Sequence, residues 1–459
     1  MSRRIRKRLF HSAEVLEEGT SKIECLLRQG RAEDAVPLLI DCQNLAVALG
    51  TRIETLQGME TRVVPELEKY CELVYRLGEQ VTVAEETDTA YQALIAQLEI
   101  VRRKMEKDIP DKKEAVFLPY KASMWDSLES VWKAADEDEN CEAFVVPIPY
   151  FNKESDGSFG EMQYEGDLYP KYVPVTDWQT YSIEDRQPDM IFIHNPYDEY
   201  NIVTSVHPDY YSEKLKACTD SLVYIPYFIL AEADPQDQKA VERISDFVQN
   251  KGLINADLVI VQSEAMKQIY VNEYLKFAKK LGLTGKHLDR GYQEKRILGL
   301  GSPKVDKVLS AQKEKPDVPE EWRKLMQRPD GSVRKVIFYN TGLTAMLSGG
   351  EKWLDKIEDT FRYMKEQWSD AVLLWRPHPL MHNTIRSMRP RLLERYRKIE
   401  RTYQEEAWGI YDNTTDLDRA IALSDAYYGD ASSVAQLFEA AGKPVMIQCA
   451  EALHDWSNT

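Results

Sequence analysis

The chain has 459 residues and a net charge of −17, from 59 basic and 76 acidic side chains. That length is enough for two or three domains, and the charge opposes nucleic-acid binding, since no Lys/Arg stripe with interleaved aromatics offsets the repulsion from a phosphate backbone. The six cysteines form no CxxC pair, which excludes common zinc and iron–sulfur patterns and fits a reduced cytoplasmic setting. No run approaches the roughly 18 apolar residues of a membrane span, and there is no apolar secretory core.

The first ten residues, MSRRIRKRLF, are strongly basic. In a helix Ile5 and Leu9 share a face that Phe10 borders. The segment reads either as a solvated basic terminus or as a peripheral contact with an anionic membrane surface, which would be the inner face of the plasma membrane. From residue 11 to about 108, apolar positions recur at three and four: Val15, Ile23, Leu26 and Leu27, then Val63, Leu67, Val74 and Leu77, then Leu94, Leu98 and Val101. Gly30, Gly50 and Gly78 suggest breaks. Two to four long helices in a hairpin or coiled coil fit this spacing. Their faces suit burial against another copy, so a homo-oligomer is one expectation. This helical region is assigned to 1–110.

The pattern then changes. Strands are expected at 115–120, 141–150, 188–198 and 221–230, with a strand, turn and helix at 256–270 and a strand and turn at 295–308. Strands separated by helix-sized segments indicate a mostly parallel sheet, and 111–312 is read as a Rossmann-like domain. A linker with Pro316, Pro319 and Pro329 follows. The second unit, 328–459, begins with strand 333–340 and an amphipathic helix at 350–368. A strand at 370–379 comes next. The segment around Tyr427–Ser433 gives a strand and turn, and a helix then stops at Gly442. Two such units joined by a linker predict a ligand cleft.

Five places carry chemistry. Asp430, Ser432 and Ser433 open the last helix, where orphan backbone N–H groups and hydroxyls suit phosphate oxygens; capping is the structural alternative. Arg376 and His378, flanked by Pro377 and Pro379, leave a strand. There the guanidinium suits a bidentate phosphate contact and the imidazole a hydrogen bond to a leaving group. Asn340, Thr341 and Gly342 join a strand to a long helix in a pattern that is neither GxxxxGK[ST] nor GxGxxG. His194 and His207, near Asp198 and Asp209, are candidate bases for an acceptor hydroxyl; a structural polar turn is the alternative. Gly301, Ser302 and Lys304 form a turn in which the lysine suits phosphate. There is no GxSxG elbow and no HExxH pair.

In GSPKVD (301–306), LLWRPHP (373–379) and LSDAYYGDASSVAQLFEAAGKPV (423–445), the span from about Lys112 to Gln448 resembles the CDP-glycerol glycerophosphotransferase family of teichoic-acid-type polymerases. The resemblance implies an α/β, GT-B-like pair of Rossmann-type domains beside the helical region. It implies a metal-independent transferase with a CDP-polyol donor as substrate, bound mainly by the C-terminal domain, and an envelope glycan or polyol as acceptor. Arg376, His378, Ser432 and Ser433 match the family's diphosphate-side motifs. Asp430 matches the acid of its Asp-aromatic-Ser-Ser pattern, with Ala431 in the aromatic place. The family's His-Gly loop is replaced by Tyr224–Phe228, which leaves His194 or His207 as substitutes. Two other readings stand beside this one: a GT-B nucleotide-sugar glycosyltransferase, and a non-catalytic nucleotide-binding or assembly protein.

Overall fold

The computed structural model describes residues 2–448 except 59, 81–83, 110, 154–156, 202–203, 314–315, 329, 369 and 415. The chain divides into two compact units. One runs from the N-terminus to Ala122, with Val131–Tyr224 and Asn250–Val259; the other holds Ser123–Ser130, Ile225–Gln249 and the chain from Ile260 onward. These borders differ from the three-part division expected at the two linkers. The reason lies in packing: the helix Pro303–Lys313 lies against helices Leu417–Leu423 and Ser433–Ala440, so the chain before the proline linker shares a core with the chain after it.

Four helices open the first unit: α1 (Arg3–Arg28), α2 (Ala32–Gln57), α3 (Val64–Gln80) and α4 (Ala84–Asp108). Each packs on the next and α1 returns to α4. The three-and-four spacing therefore buries Leu16, Ile23, Leu39, Leu67, Leu77, Leu94 and Leu98 in one shared core. Gly30 does sit in a turn, with positive φ, but Gly50 and Gly78 lie inside helices. A Cβ on Gly50 would be in ordinary contact with Leu67. The core faces expected to meet a second copy are spent within the chain. The same holds at the basic start. Ile5 and Leu9 are each 3% exposed inside this core, and the Arg6 guanidinium lies 4.2 Å over the Phe10 ring. The apolar face that motivated membrane contact is therefore occupied by protein. No helix among the described residues is long and apolar enough to cross a membrane.

The strands are β1 (Lys113–Leu118), β2 (Cys141–Val145), β3 (Tyr150–Lys153), β4 (Phe159–Gln163), β5 (Met190–Ile193), β6 (Thr204–Val206), β7 (Ser221–Tyr224), β8 (Leu258–Val261) and β9 (Ile297–Gly299). The main sheet has the order β2-β1-β5-β7-β8-β9, and the pairs β1/β2, β1/β5, β5/β7 and β7/β8 are parallel. The expected strand 141–150 is in fact two. β2 ends at Val145, and Tyr150 opens β3, which pairs antiparallel with β4 and β6 in a separate small sheet. The run 221–230 stops at Tyr224, where Pro226 cannot supply a ladder N–H.

In the second unit β10 (Lys335–Thr341), β11 (Ala371–Pro377), β12 (Ile410–Tyr411), β13 (Ala426–Gly429) and β14 (Val445–Ile447) make a five-stranded parallel sheet, order β12-β11-β10-β13-β14. Its two faces bury different sets. Phe338, Leu374, Tyr427, Leu437 and Phe438 pack on one side; Tyr339, Trp375, Trp353, Ile357 and Tyr396 pack on the other. The α/β class with Rossmann-type units and a helical N-terminal region is thus the class this chain has.

Candidate functional site

In the second sheet the chain adds β11 and β12 on one side of β10, then returns to place β13 and β14 on the other. The order reverses between β10 and β13, and in open parallel sheets ligands bind at the carboxyl ends of such strands. Asn340, Thr341 and Gly342 leave β10 there, and Gly429 and Asp430 leave β13.

Hydrogen bonds stitch these two exits together. The Asn340 amide donates to the Tyr427 hydroxyl at 3.0 Å and to Ser432 Oγ at 3.1 Å. Asp430 N donates to Asn340 O at 3.0 Å. In return the Asp430 carboxylate accepts Gly342 N at 2.7 Å and Trp353 Nε1 at 3.1 Å, and it pairs with Lys356. Asp430 and Lys356 are each 2% exposed, so this is a buried ion pair whose carboxylate also serves a backbone N–H. Asp430 does not cap the final helix. Ser432 does, accepting Val434 N at 3.2 Å, and Ser433 stands exposed in the first turn. At the far end Gly442 has φ +69 and closes the helix, with Lys443 N donating to Phe438 O.

Gly429 is the constrained glycine here, not Gly342. A Cβ on Gly429 would meet Asn340 O at 2.2 Å, and its φ is +138. A Cβ on Gly342 would sit 3.5 Å from Asp430 Cβ, an ordinary contact.

Arg376 is the register partner of Asn340 on β11. The cation and the opening of the Ser432 helix therefore lie on the same side of the sheet, because Asn340 touches Ser432. The guanidinium itself is occupied: Nη1 pairs with Asp412, which is fully buried, and Nη2 donates to Thr414 O at 2.7 Å. The free bidentate fork expected for phosphate is thus turned into the 412–414 loop. Thr414 Oγ1 also takes Arg419 Nη2 at 3.1 Å, so two cations brace one loop. Thr341 accepts Trp375 Nε1 through its side chain at 3.1 Å and His378 N through its carbonyl at 3.1 Å.

His378 is exposed, and its Nδ1 accepts Leu380 N at 3.1 Å. In the neutral ring the proton then sits on Nε2, which makes that nitrogen a donor. Desolvation by the neighbouring protein atoms lowers its pKa, which favours this neutral form.

The remaining candidates belong to other elements. Ser302 and Pro303 are buried, and Gly301 has φ +107. Lys304 in this turn pairs with Asp126, so its charge is already met by a carboxylate. In the first unit His194 is 0% exposed, and its Nε2 accepts Tyr120 N at 3.2 Å. Burial and this bond remove it as a base for an incoming hydroxyl. His207 Nδ1 accepts Asp209 N at 3.3 Å and caps a short 3-10 turn. Asp198 is buried, has φ +48 and accepts both Ser212 N and Ser212 Oγ. His194, Asp198 and His207 each therefore serve backbone hydrogen bonds.

Sequence reasoning did not single out Lys356, Trp353 or Asp412. Lys356 had a readable signal. It lies three residues after Trp353 and one before Ile357, on the apolar stripe of the helix Glu351–Gln367, where a charge needs a partner.

No protein-family model matches the chain, and no curated protein matches its sequence. Solved structures similar to it include a putative UDP-N-acetylglucosamine 2-epimerase from Listeria monocytogenes, with 11% identity, 74% of this chain and 81% of that chain covered, and a TM-score of 0.44. The S. aureus MnaA–UDP co-structure covers 73% of this chain and 78% of its own, at 10% identity and a TM-score of 0.41. The wall teichoic acid polymerase TagF covers 85% and 81%, at 13% identity and a TM-score of 0.39. These scores and identities carry no argument about the chemistry of this chain.

Proposed function

We propose that the β10/β13 exit binds the diphosphate of a nucleotide-activated donor and that the chain is a transferase. In its finer form, a polyol phosphate passes from a CDP-activated donor to a hydroxyl acceptor in cell-envelope polymer or glycan synthesis. The observation that carries this reading is the network joining Asn340, Ser432 and Tyr427 to Asp430, Lys356 and Gly342. It fixes a helix opening at the reversal point of a parallel sheet, where backbone N–H groups and the helix dipole favour an anion.

The groups we assign to such an anion are the helix opening at Ser432 and Ser433 and the Nε2–H of His378, whose Nδ1 is taken by Leu380 N. Arg376 acts one step removed: it holds the 412–414 loop beside the site. In the reaction the acceptor oxygen forms a bond to the β-phosphorus, the bond from that phosphorus to the bridging oxygen breaks, and cytidine monophosphate leaves. The His378 donor and the helix N–H groups stabilise the charge that grows on the phosphate oxygens. Each candidate histidine uses a ring-nitrogen lone pair on a backbone N–H. We therefore assign the hydroxyl proton to the departing phosphate and not to any of the three.

The test is saturation binding of CDP, UDP and GDP to the full chain, followed by product analysis with CDP-glycerol. CDP preference and a product that gains phosphorus support the reading. Transfer of a sugar without phosphorus would instead indicate a glycosyltransferase. Absence of nucleotide binding would leave a non-catalytic scaffold.

A further inference from the structure

We propose that the first unit carries a second ligand site, at the carboxyl ends of β1 and β5, which takes a small phosphorylated polyol. The strand order β2-β1-β5-β7 reverses between β1 and β5, so this is the reversal point of that sheet and the expected mouth of a ligand crevice. The two exits are tied together where Tyr120 N donates to His194 Nε2 at 3.2 Å. Two polar groups sit on the residues that follow, and a third, Glu165, is bonded to the first exit at Ala122 N.

Lys121 comes directly after Tyr120. Its Nζ lies 5.0 Å from the centre of the Tyr150 ring and 5.8 Å from that of Tyr120. The chain has 76 acidic against 59 basic residues, yet among the described residues no carboxylate pairs with this lysine. Asn195 comes directly after His194 and is 6% exposed. Its Oδ1 accepts Tyr197 N at 3.2 Å, which fixes the amide orientation. Nδ2 is then buried without a hydrogen-bond partner among the described residues, an unfavourable state that a ligand oxygen would relieve. Glu165 is the third group. Its Oε1 accepts the Tyr150 hydroxyl at 2.7 Å and its Oε2 accepts Ala122 N at 2.8 Å. A carboxylate held this way keeps further lone pairs for hydroxyl donors.

A cation on aromatic faces, a fixed carboxylate and an unpaired amide donor match a ligand with one anionic group and several hydroxyls. A neutral sugar would leave Lys121 unused, and a bare anion would leave Glu165 unused and repelled. This site goes beyond the donor site: it uses other residues in the other unit.

The test titrates the full-length chain with glycerol 3-phosphate by calorimetry, with glycerol and inorganic phosphate as separate arms. Wild type should saturate with glycerol 3-phosphate and bind either part alone more weakly. Lys121→Met should weaken glycerol 3-phosphate by about tenfold, the loss of one charge-assisted contact, and Asn195→Ala by about threefold. CDP affinity should stay unchanged in both variants, and an unchanged circular dichroism spectrum and cooperative melt show that they fold. The proposal is overturned if wild type does not saturate, if Lys121→Met binds as wild type does, or if phosphate alone binds as tightly as glycerol 3-phosphate. If CDP fails to bind while Lys121-dependent binding persists, the donor reading falls and this site stands.

Discussion

Replacing Lys356 by methionine probes the interaction that organises the second unit. Lys356 and Asp430 are both 2% exposed, and the carboxylate also accepts Gly342 N and Trp353 Nε1. Lys356→Met keeps the stem volume and strands the carboxylate in an apolar interior. Removing one partner of a buried pair costs about 3–5 kcal/mol. For a unit of this size, roughly 2–4 °C per kcal/mol converts that cost to a fall of about 6–20 °C in melting temperature. Adding Asp430→Asn removes the stranded charge, while the amide oxygen can still accept Gly342 N. The double variant should therefore recover part of the loss, with a coupling of about 1–3 kcal/mol. Thermal melts and urea titrations of wild type, both single variants and the double variant make the cycle. A shift below 2 °C for Lys356→Met, a bound set by the roughly 2 °C per kcal/mol scale, would refute the reasoning, and so would strictly additive single effects.

Burial raises the Asp198 carboxyl to about 6, against an ordinary value near 4. The folded state then holds the proton more tightly, so its contribution is complete below about pH 4 and is lost as pH rises through 6, a swing of about 3 kcal/mol. Asp198→Asn tolerates φ +48 and should flatten that dependence in urea melts across about pH 4–7, a range that covers both values. Gly429→Ala should fail to give folded protein or lose more than about 3 kcal/mol, because its Cβ would overlap Asn340 O; a normal melt would count against the placement. Ser432→Ala should cost about 1 kcal/mol through the lost cap and also weaken CDP binding, whereas a plain cap would give the first effect without the second. Nitrogen NMR should find His378 neutral, with its proton on Nε2, to a pH below the ordinary histidine range, since desolvation lowers its pKa; a proton on Nδ1 would rule out the donor role.

Much of this architecture could be read from periodicity. The four helices follow the three-and-four spacing of Leu16, Ile23, Leu67 and Leu94, and the second sheet follows short apolar runs such as Ala371–Trp375. The misplacements have local causes. Gly50 and Gly78 look like breaks in the sequence, but both lie in helix interiors, where the burial of the flanking apolar stripe outweighs the roughly 1 kcal/mol a glycine costs. β2 and β3 look like one strand because Val146–Pro149 is apolar throughout, although the two strands belong to different sheets. Around the site, sequence placed Ser432 at a helix opening and Asn340 at a strand end. It could not show that Arg376 is turned to Asp412, because ion-pair choice depends on which loops the fold brings together. It also gave no sign that the Asp430 carboxylate is held by Lys356, 74 residues away.

The most direct measurement is a structure of the full chain bound to CDP. The donor reading predicts the diphosphate on the backbone N–H groups opening the Ser432–Ser433 turn, with His378 Nε2 within hydrogen-bond distance of a phosphate oxygen. A nucleotide bound elsewhere, or a helix opening that stays vacant at saturating CDP, would contradict it.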